Sequence, residues 1–290
     1  MTAMSEAAAA AFGDLVRIMR VLRAPGGCPW DREQTLQSLR PFVLEETYEL
    51  LDTLDRGDLA GLREELGDFL YEAVFLAQIA EEGGHFSIAD AVAGIAAKLV
   101  RRHPHVFTPD GQPLAAADAL TTGEVRRRWE DLKADERKAT GRAETSALDG
   151  VPATLPALLR AYELTARAAA VGFDWVRADD VLDKIDEEAR EVRTAAGRGD
   201  AAALEDEIGD LLFAVANYAR KLGVEPEAAL RRAAAKFHGR FTRMEQLARV
   251  DGGALAGLSL DAQNALWDRV KAGEGHGPAA APPATDASGR

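Results

Sequence analysis

An all-α fold built from two tandem helical units is what this sequence predicts, and three observations carry the prediction. Apolar residues recur with helical spacing along most of the chain, and no β-type alternation of useful length appears anywhere. Clusters of Gly and Pro cut that pattern into helix-sized pieces. One constellation of acids, bases and aromatics occurs twice in the same order.

The duplication is read directly from residue numbers. Glu45, Glu46, Glu49, Glu65 and Asp68 return as Glu187, Glu188, Glu191, Glu207 and Asp210, each 142 positions later. Leu66-Gly67-Asp68 is matched by Ile208-Gly209-Asp210. Further on the offset drops to 138 and holds, pairing Lys98 with Lys236, Arg102 with Arg240, Trp129 with Trp267 and Lys133 with Lys271. Trp30-Asp31 pairs more loosely with Phe173-Asp174. A solvated charge run has no reason to keep acids, bases and aromatics in register over a whole domain, so two copies of one helical unit is the better account.

Taken in order, residues 5–23 form a first amphipathic helix through Phe12, Leu15, Val16, Ile18, Met19 and Leu22, stopped by Pro25-Gly26-Gly27. Pro29-Trp30-Asp31 continues as a tight loop, and Leu36 to Leu54 is the first acid-bearing helix. Arg56-Gly57-Asp58 turns the chain into a helix from Leu59 to Glu81, which Gly83-Gly84 ends. Ser87 caps the next, which runs to Arg102 and stops at His103-Pro104. A polar loop with Pro109, Gly111 and Pro113 leads to a helix from Thr122 through Lys138. The second unit repeats the scheme with helices at 156–170, 178–197, 201–222, 226–248 and 260–271. The division that follows is an N-terminal helical domain over 1–139, a partly ordered junction over 140–156, a second helical domain over 157–271 and a disordered Gly/Pro/Ala tail over 272–290.

Composition narrows the function classes. Hydrophobic residues make up 47% of the 290, enough for two packed domains, while aromatics are only 6%. A net charge of −13 argues against general nucleic-acid binding, and Arg126 to Arg128 reads as a solvated helix face. The single Cys28 allows no internal disulfide and suits a reducing, cytoplasmic setting. The run Ala7 to Ala11 is too short for a signal or a membrane span. No P-loop motif is present, Glu82-Gly83-Gly84-His85 reads as a helix end and not a di-iron motif, and His103 and His105 pack a turn.

The acids themselves point to metal chemistry. Glu187, Glu188 and Glu191 fall within roughly a third of a helix circumference, bordering apolar Val181, Leu182, Ile185 and Val192. Glu207, Asp210 and Asn217 share a side of the next helix, beside Leu204, Ile208, Leu211, Leu212 and Val215. Carboxylates at i,i+3 and i,i+4 repel, more strongly against an apolar wall. A divalent cation with oxygen ligands, Mg²⁺ or else Mn²⁺, relieves that repulsion.

With Gly27-Cys28-Pro29-Trp30-Asp31, Leu44 to Glu49, Arg101 to Phe107, Ser146 to Asp149 and Val171 to Trp175 added, the chain resembles the MazG family of the all-α NTP pyrophosphatase superfamily from about residue 12 to 271. The resemblance implies two tandem four-helix modules, a homodimer, and Mg²⁺-dependent hydrolysis of nucleoside triphosphates between the α and β phosphates. Such hydrolysis needs cations to neutralise phosphate charge and make a water easier to deprotonate. The matching positions make Glu188, Glu191, Glu207 and Asp210 metal ligands, with Glu187 orienting or deprotonating the water. Lys236 and Arg240 match a phosphate-contacting pair, Lys184 matches a substrate-contacting base, and Trp267 and Lys271 match positions that close over the nucleotide. Asn217 is placed to hydrogen-bond a sugar or base.

In the first copy Glu46, Glu49, Glu65 and Asp68 form a weaker second metal site, because Lys184 becomes Phe42 and Asn217 becomes Phe75. Gly239, inside Lys236 to Arg240, is a poor helix residue and leaves base preference open. Two alternatives stay open: a narrower dUTP or dCTP diphosphatase, and a catalytically silent protein that binds a nucleotide or a partner. Neither nucleic acid nor membrane is expected as a partner.

Overall fold

The computed structural model describes residues 3–114, 120–125, 128–129, 132 and 146–274, with side chains from residue 6 onward. Among these residues all regular structure is helical, apart from one isolated bridge between Phe107 and Pro113. The chain divides into two compact units, residues 1–143 and 144–290.

The first unit contains α1 (Ala3–Arg23), α2 (Pro29–Glu33), α3 (Arg40–Arg56), α4 (Leu59–Glu82) and α5 (Ile88–Arg102). Two expected boundaries move. Pro29 to Glu33 is a short helix and not a loop, because Pro29 occupies its first turn, where a missing N–H costs nothing. The first acid-bearing helix begins at Arg40 and not Leu36. Pro41 inside a longer helix would remove a hydrogen bond and press on the carbonyl of residue 37, so the helix starts just ahead of it. Thr35 and Ser38 close the preceding turn by reciprocal side-chain to backbone hydrogen bonds of 2.9 and 3.1 Å.

Between α3 and α4 the chain reverses through Gly57 at φ 68°, a left-handed conformation that suits glycine. Asp58 then caps α4 by accepting from the Ala60 and Gly61 amides. Ser87 and Asp90 form a reciprocal capping box on α5. Met19, Leu39, Val74 and Phe75 make the core of this unit, with Phe12, Phe42, Tyr71 and Ile79 packed around it. Arg23 is nearly buried: its guanidinium lies 5.4 Å from the Phe75 ring centroid, pairs with Glu82 at 2.7 Å and donates to the Asp31 and Gln34 carbonyls. The expected helix from Thr122 to Lys138 falls largely outside the described residues, as do Lys133 and Arg126.

The second unit contains α6 (Ala157–Ala170), α7 (Ala178–Arg198), α8 (Ala201–Lys221), α9 (Pro226–Val250), a 3₁₀ turn (Leu255–Gly257) and α10 (Leu260–Gly273). The α7–α8 hairpin reuses the turn of the first unit, with Gly199 at φ 70° and Asp200 capping through the Ala203 amide. α6 lies against α8, and α9 folds back onto α10 around Met244, Ala248, Leu266 and Val270. α10 continues past Lys271 to Gly273, and Glu274 closes its end, while residues 275–290 lie outside the description. Residues 146–149 of the expected junction form a turn in which Asp149 accepts from the Ser146 amide at 3.0 Å, and Arg167 of α6 donates to the Asp149 carbonyl.

Packing on α8 differs from the apolar face read along its sequence. Ala214 and Ala216 are its buried residues, whereas Ile208, Leu212 and Val215 remain 43%, 50% and 42% exposed. Small residues let α8 approach its neighbours closely, and the larger aliphatics are left over on a second side.

Truncating Phe75 to Ala should destabilise the first unit by about 3–5 kcal/mol, since the ring is fully buried beneath Arg23. Urea unfolding followed by tryptophan fluorescence checks this, and a change under 1 kcal/mol would contradict the packing described.

Candidate active site

Glu188 anchors the site. It lies on α7 with only 4% of its surface exposed, an unusual burial for a carboxylate. One helical turn earlier, Lys184 sends its ammonium to Glu188 Oε1 at 2.6 Å and to Glu187 Oε1 at 2.9 Å. The bond to Glu188, followed by that to Glu187, holds the ammonium proton far more tightly than an ordinary lysine would. Glu188 Oε2 is buried and has no hydrogen-bond partner among the described residues. An orphaned, buried carboxylate oxygen is costly, on the order of 1–3 kcal/mol, unless a ligand takes it.

Across the hairpin, α8 contributes the complementary oxygens. Carboxylate oxygens of Glu188, Glu207 and Asp210 lie within 4.8 Å of one another. Ligands on opposite sides of a Mg²⁺ ion at about 2.1 Å are about 4.2 Å apart, so a small adjustment brings these three onto one ion. Glu191, exposed one turn on from Glu188, feels the same crowding: burial first, then the charges of Glu188 and Glu207, push its pKa up. An all-oxygen, all-carboxylate donor set fits a hard divalent cation.

A cavity of about 780 Å³ opens beside this cluster. Lys184, Glu188, Asp210 and Asn217 line it together with Phe173, Trp175 and Phe213. Its size is within the range of small-ligand sites. The Asn217 side-chain oxygen accepts from Arg220 Nε at 3.0 Å, which leaves the amide NH₂ as the group available to donate into the cavity. Arg220 also pairs with Asp174 at 2.5 Å, and Lys221 reaches the same carboxylate at 3.1 Å. Burial works to raise the Asp174 pKa, but the Arg220 and Lys221 hydrogen bonds and charges outweigh it and hold it below its ordinary value.

Lys184, Glu187, Glu188, Glu191, Glu207, Asp210 and Asn217 are thus gathered on one hairpin. The other four expected substrate residues form a group of their own on α9 and α10. Arg240 pairs with Glu274 at 2.7 Å and lies 5.7 Å from the Trp267 ring centroid. Trp267 packs against Phe237 at 5.5 Å, Lys271 sits 3.6 Å from Asp268, and Lys236 is exposed. None of these four lines the cavity beside Glu188. Reading the sequence for roles passed over Phe173, Asp174, Trp175 and Arg220. The first three stand in the Val171–Trp175 motif, and Arg220 carries no signal beyond its charge.

The first unit keeps the acids and sets aromatic rings at the Lys184 and Asn217 positions. Glu46, Glu49 and Glu65 bring carboxylate oxygens within 4.8 Å of one another, and burial followed by the Asp68 charge pushes the Glu46 pKa up. Phe42, at the Lys184 position, meets Trp30 edge-on at 5.7 Å, and Phe75, at the Asn217 position, is part of the core.

Fold and site define an all-α protein of paired helical hairpins, each carrying a facing carboxylate cluster suited to a cation. The profile of the MazG nucleotide pyrophosphohydrolase domain matches residues 34–107 and 178–244, once in each unit. A nucleoside triphosphate pyrophosphohydrolase of Escherichia coli is 46% identical over 260 residues, which is 89% of this chain and 95% of that protein. The nucleoside triphosphate pyrophosphohydrolase/pyrophosphatase MazG of Thermotoga maritima is 41% identical over 263 residues, 91% of this chain and 96% of that protein. A nucleoside triphosphate pyrophosphohydrolase of Mycolicibacterium smegmatis is 42% identical over 161 residues, 55% of this chain and 46% of that protein. This chain belongs to the MazG family.

Asp174 gives a pH test of the cavity wall. A carboxylate whose folded pKa is depressed stabilises the fold above its unfolded pKa of about 3.9 and loses that contribution as pH falls through the lower folded value. Asp174→Asn should therefore cost about 1–2 kcal/mol at pH 7 and progressively less in acid. Urea melts of both proteins from pH 7 to pH 3 check it, and a difference that does not shrink in acid would refute the ion pair.

Proposed function

We propose that this chain is a Mg²⁺-dependent nucleoside triphosphate pyrophosphohydrolase, with Mn²⁺ as an alternative cation, that cleaves between the α and β phosphates to release a nucleoside monophosphate and pyrophosphate. The observation that carries the reading is the buried Glu188 with its orphaned oxygen, set beside Glu207, Asp210 and a nucleotide-sized cavity. The relatives that match nearly end to end bear the same activity in their names.

Glu188, Glu191, Glu207 and Asp210 would hold the cation, which supplies positive charge against the phosphate oxygens and lowers the pKa of a nearby water. The chain's own residues do the rest. Glu187, about half exposed and tethered by Lys184, is placed to take a proton from the attacking water. Lys184 keeps its proton and offers a fixed positive charge at the mouth of the cavity. Asn217 donates to the sugar or base, and the Phe173, Trp175 and Phe213 rings give the nucleoside an apolar wall.

Lys236, Arg240, Trp267 and Lys271 would reach the triphosphate from the second chain of a homodimer. That assembly is supported by the exposed Ile208, Leu212 and Phe213 on α8 and the exposed Leu230, Phe237 and Phe241 on α9, apolar side chains that a partner would cover. The C-terminal unit is the working copy in this reading, supported by the rings of Phe42 and Phe75 that occupy the first. No helix among the described residues is long and apolar enough to cross a membrane, and housekeeping of the cytoplasmic nucleotide pool is the role proposed.

Pyrophosphate release from ATP or dGTP with Mg²⁺ tests the assignment. Glu191→Gln should lower the rate by about 100-fold or more, as loss of a ligand exceeds the 10- to 100-fold typical of a ligand's supporting partner. Glu49→Gln should leave it within about threefold. Equal rates for the unsubstituted protein and Glu191→Gln would reject the site, and equal losses from both variants would reject the inequality of the two units.

A further inference from the structure

Asn217 carries a donor and an acceptor on one amide, and its neighbours fix which of them meets the cavity. Arg220 stands one turn further along α8, and its Nε donates to Asn217 Oδ1 at 3.0 Å. A guanidinium accepts nothing, so the amide oxygen must face it and the NH₂ is left over. Arg220 is itself pinned. Its side chain is only 12% exposed, and its terminal nitrogens reach the two Asp174 oxygens at 2.5 and 3.4 Å. Asp174 also accepts from the Trp175 amide at 2.9 Å and from Lys221 at 3.1 Å, so the guanidinium rests on a carboxylate that is held from three sides.

Position along the helix says what that NH₂ would meet. Asp210 and Asn217 share a face of α8 and lie about 10 Å apart along its axis. Both line the cavity, together with the Phe173, Trp175 and Phe213 rings. A nucleotide whose phosphates gather at Asp210 therefore presents its nucleoside, and not its triphosphate, to Asn217. Thr165, on the same wall, gives its hydroxyl proton to the Ala161 or Tyr162 carbonyl and adds no donor there. A fixed NH₂ pairs with a ring carbonyl and opposes an exocyclic amino group, which is a donor too. At the 142-residue offset the first unit has Phe75 and Gln78 in place of Asn217 and Arg220, so the amide and its guanidinium are replaced together.

We infer that Arg220 is a positioning residue that holds the Asn217 amide as a one-way donor, and that the cavity consequently favours a nucleobase bearing a ring carbonyl over one bearing an amino group at the same place. Arg220 acts through Asn217: were the amide free to turn over, donor and acceptor would exchange and the preference would vanish. A site built to hydrogen-bond one group rejects the analogue that lacks it, because the site's own polar group is then left unpaired. The inference rests on reading this cavity as the nucleotide site, as the proposed function does.

The test measures pyrophosphate release by the full chain with Mg²⁺ from ATP and from inosine triphosphate, which carry an amino group and a carbonyl on the same purine carbon. The unsubstituted chain should use inosine triphosphate about tenfold more efficiently in kcat/KM, as expected for one hydrogen bond made or left unpaired. Arg220→Met should bring the two nucleotides within about twofold, chiefly by raising KM for inosine triphosphate while kcat is kept. Asn217→Asp leaves Arg220 on Asp174 but offers only acceptors, and should reverse the preference. Asp174→Asn loosens the same loop without removing the Arg220 to Asn217 bond, and should retain the preference. Equal loss from Asp174→Asn and Arg220→Met would make Arg220 a merely structural residue and overturn the inference. Should Arg220→Met not fold, Arg220→Lys carries the same expectation, since it keeps a charge on Asp174 without the fixed fork. Equal use of ATP and inosine triphosphate by the unsubstituted chain overturns the inference and leaves the proposed function standing. An Arg220 substitution that changes only the ratio of ATP to dATP puts the amide on the sugar and overturns it as well. If neither nucleotide yields pyrophosphate, both readings fail.

Discussion

The crowding of like charges on one hairpin is the constraint that the C-terminal unit is built around. Glu188 is driven into a nearly dry position where only one of its oxygens is satisfied, by Lys184 at 2.6 Å. Lys184 alone cannot neutralise Glu187, Glu188, Glu191, Glu207 and Asp210, so the hairpin keeps a surplus of negative charge facing a cavity. Such a surface is unfavourable for an isolated helix pair and useful for a protein that must gather a cation and a polyanion at one point. The capped Gly199-Asp200 turn and the close approach of α8 through Ala214 and Ala216 hold the two acid-bearing helices in place against that repulsion.

The same hairpin in two copies shows how little sequence change redirects a site. Gly57-Asp58 and Gly199-Asp200 build similar turns, each with a left-handed glycine followed by a capping aspartate, and both acid sets survive. What differs is the lining. Lys184 and Asn217 line the cavity of the second copy, whereas Phe42 and Phe75 put rings at the same positions of the first. Arg23, laid over Phe75 and bonded to Glu82, then finishes a core where the other unit has a cavity.

The cavity wall extends the charge argument beyond the acids. Arg220 is shared between Asp174 and Asn217, so one guanidinium fixes both the loop after α6 and the orientation of an amide facing the ligand space. At the other end of the unit, Arg240 is already engaged by Glu274 and Trp267. Both contacts are internal to the unit, so the Arg240 charge is offset within its own chain.

Helical periodicity, glycine and proline punctuation and the 142-residue repeat were enough, read along the chain, to establish an all-α fold and two hairpins bearing the acids Glu187, Glu188, Glu191, Glu207 and Asp210, whereas Lys184 came from the family resemblance. These are local properties: caps, turns and faces depend on neighbours within a few residues, and a repeat doubles every signal. The helix at Pro29 and the start of α3 at Arg40 were also local, and weighing Pro29 and Pro41 as first-turn residues would have found them. Tertiary structure alone decided which acid is buried, which of its oxygens lacks a partner, that Arg220 pairs with Asp174, and that Arg240 is held by Glu274. The reason is that burial and pairing depend on what another helix brings from 30 or 40 residues away, and an amphipathic pattern says that a face is covered without saying by what.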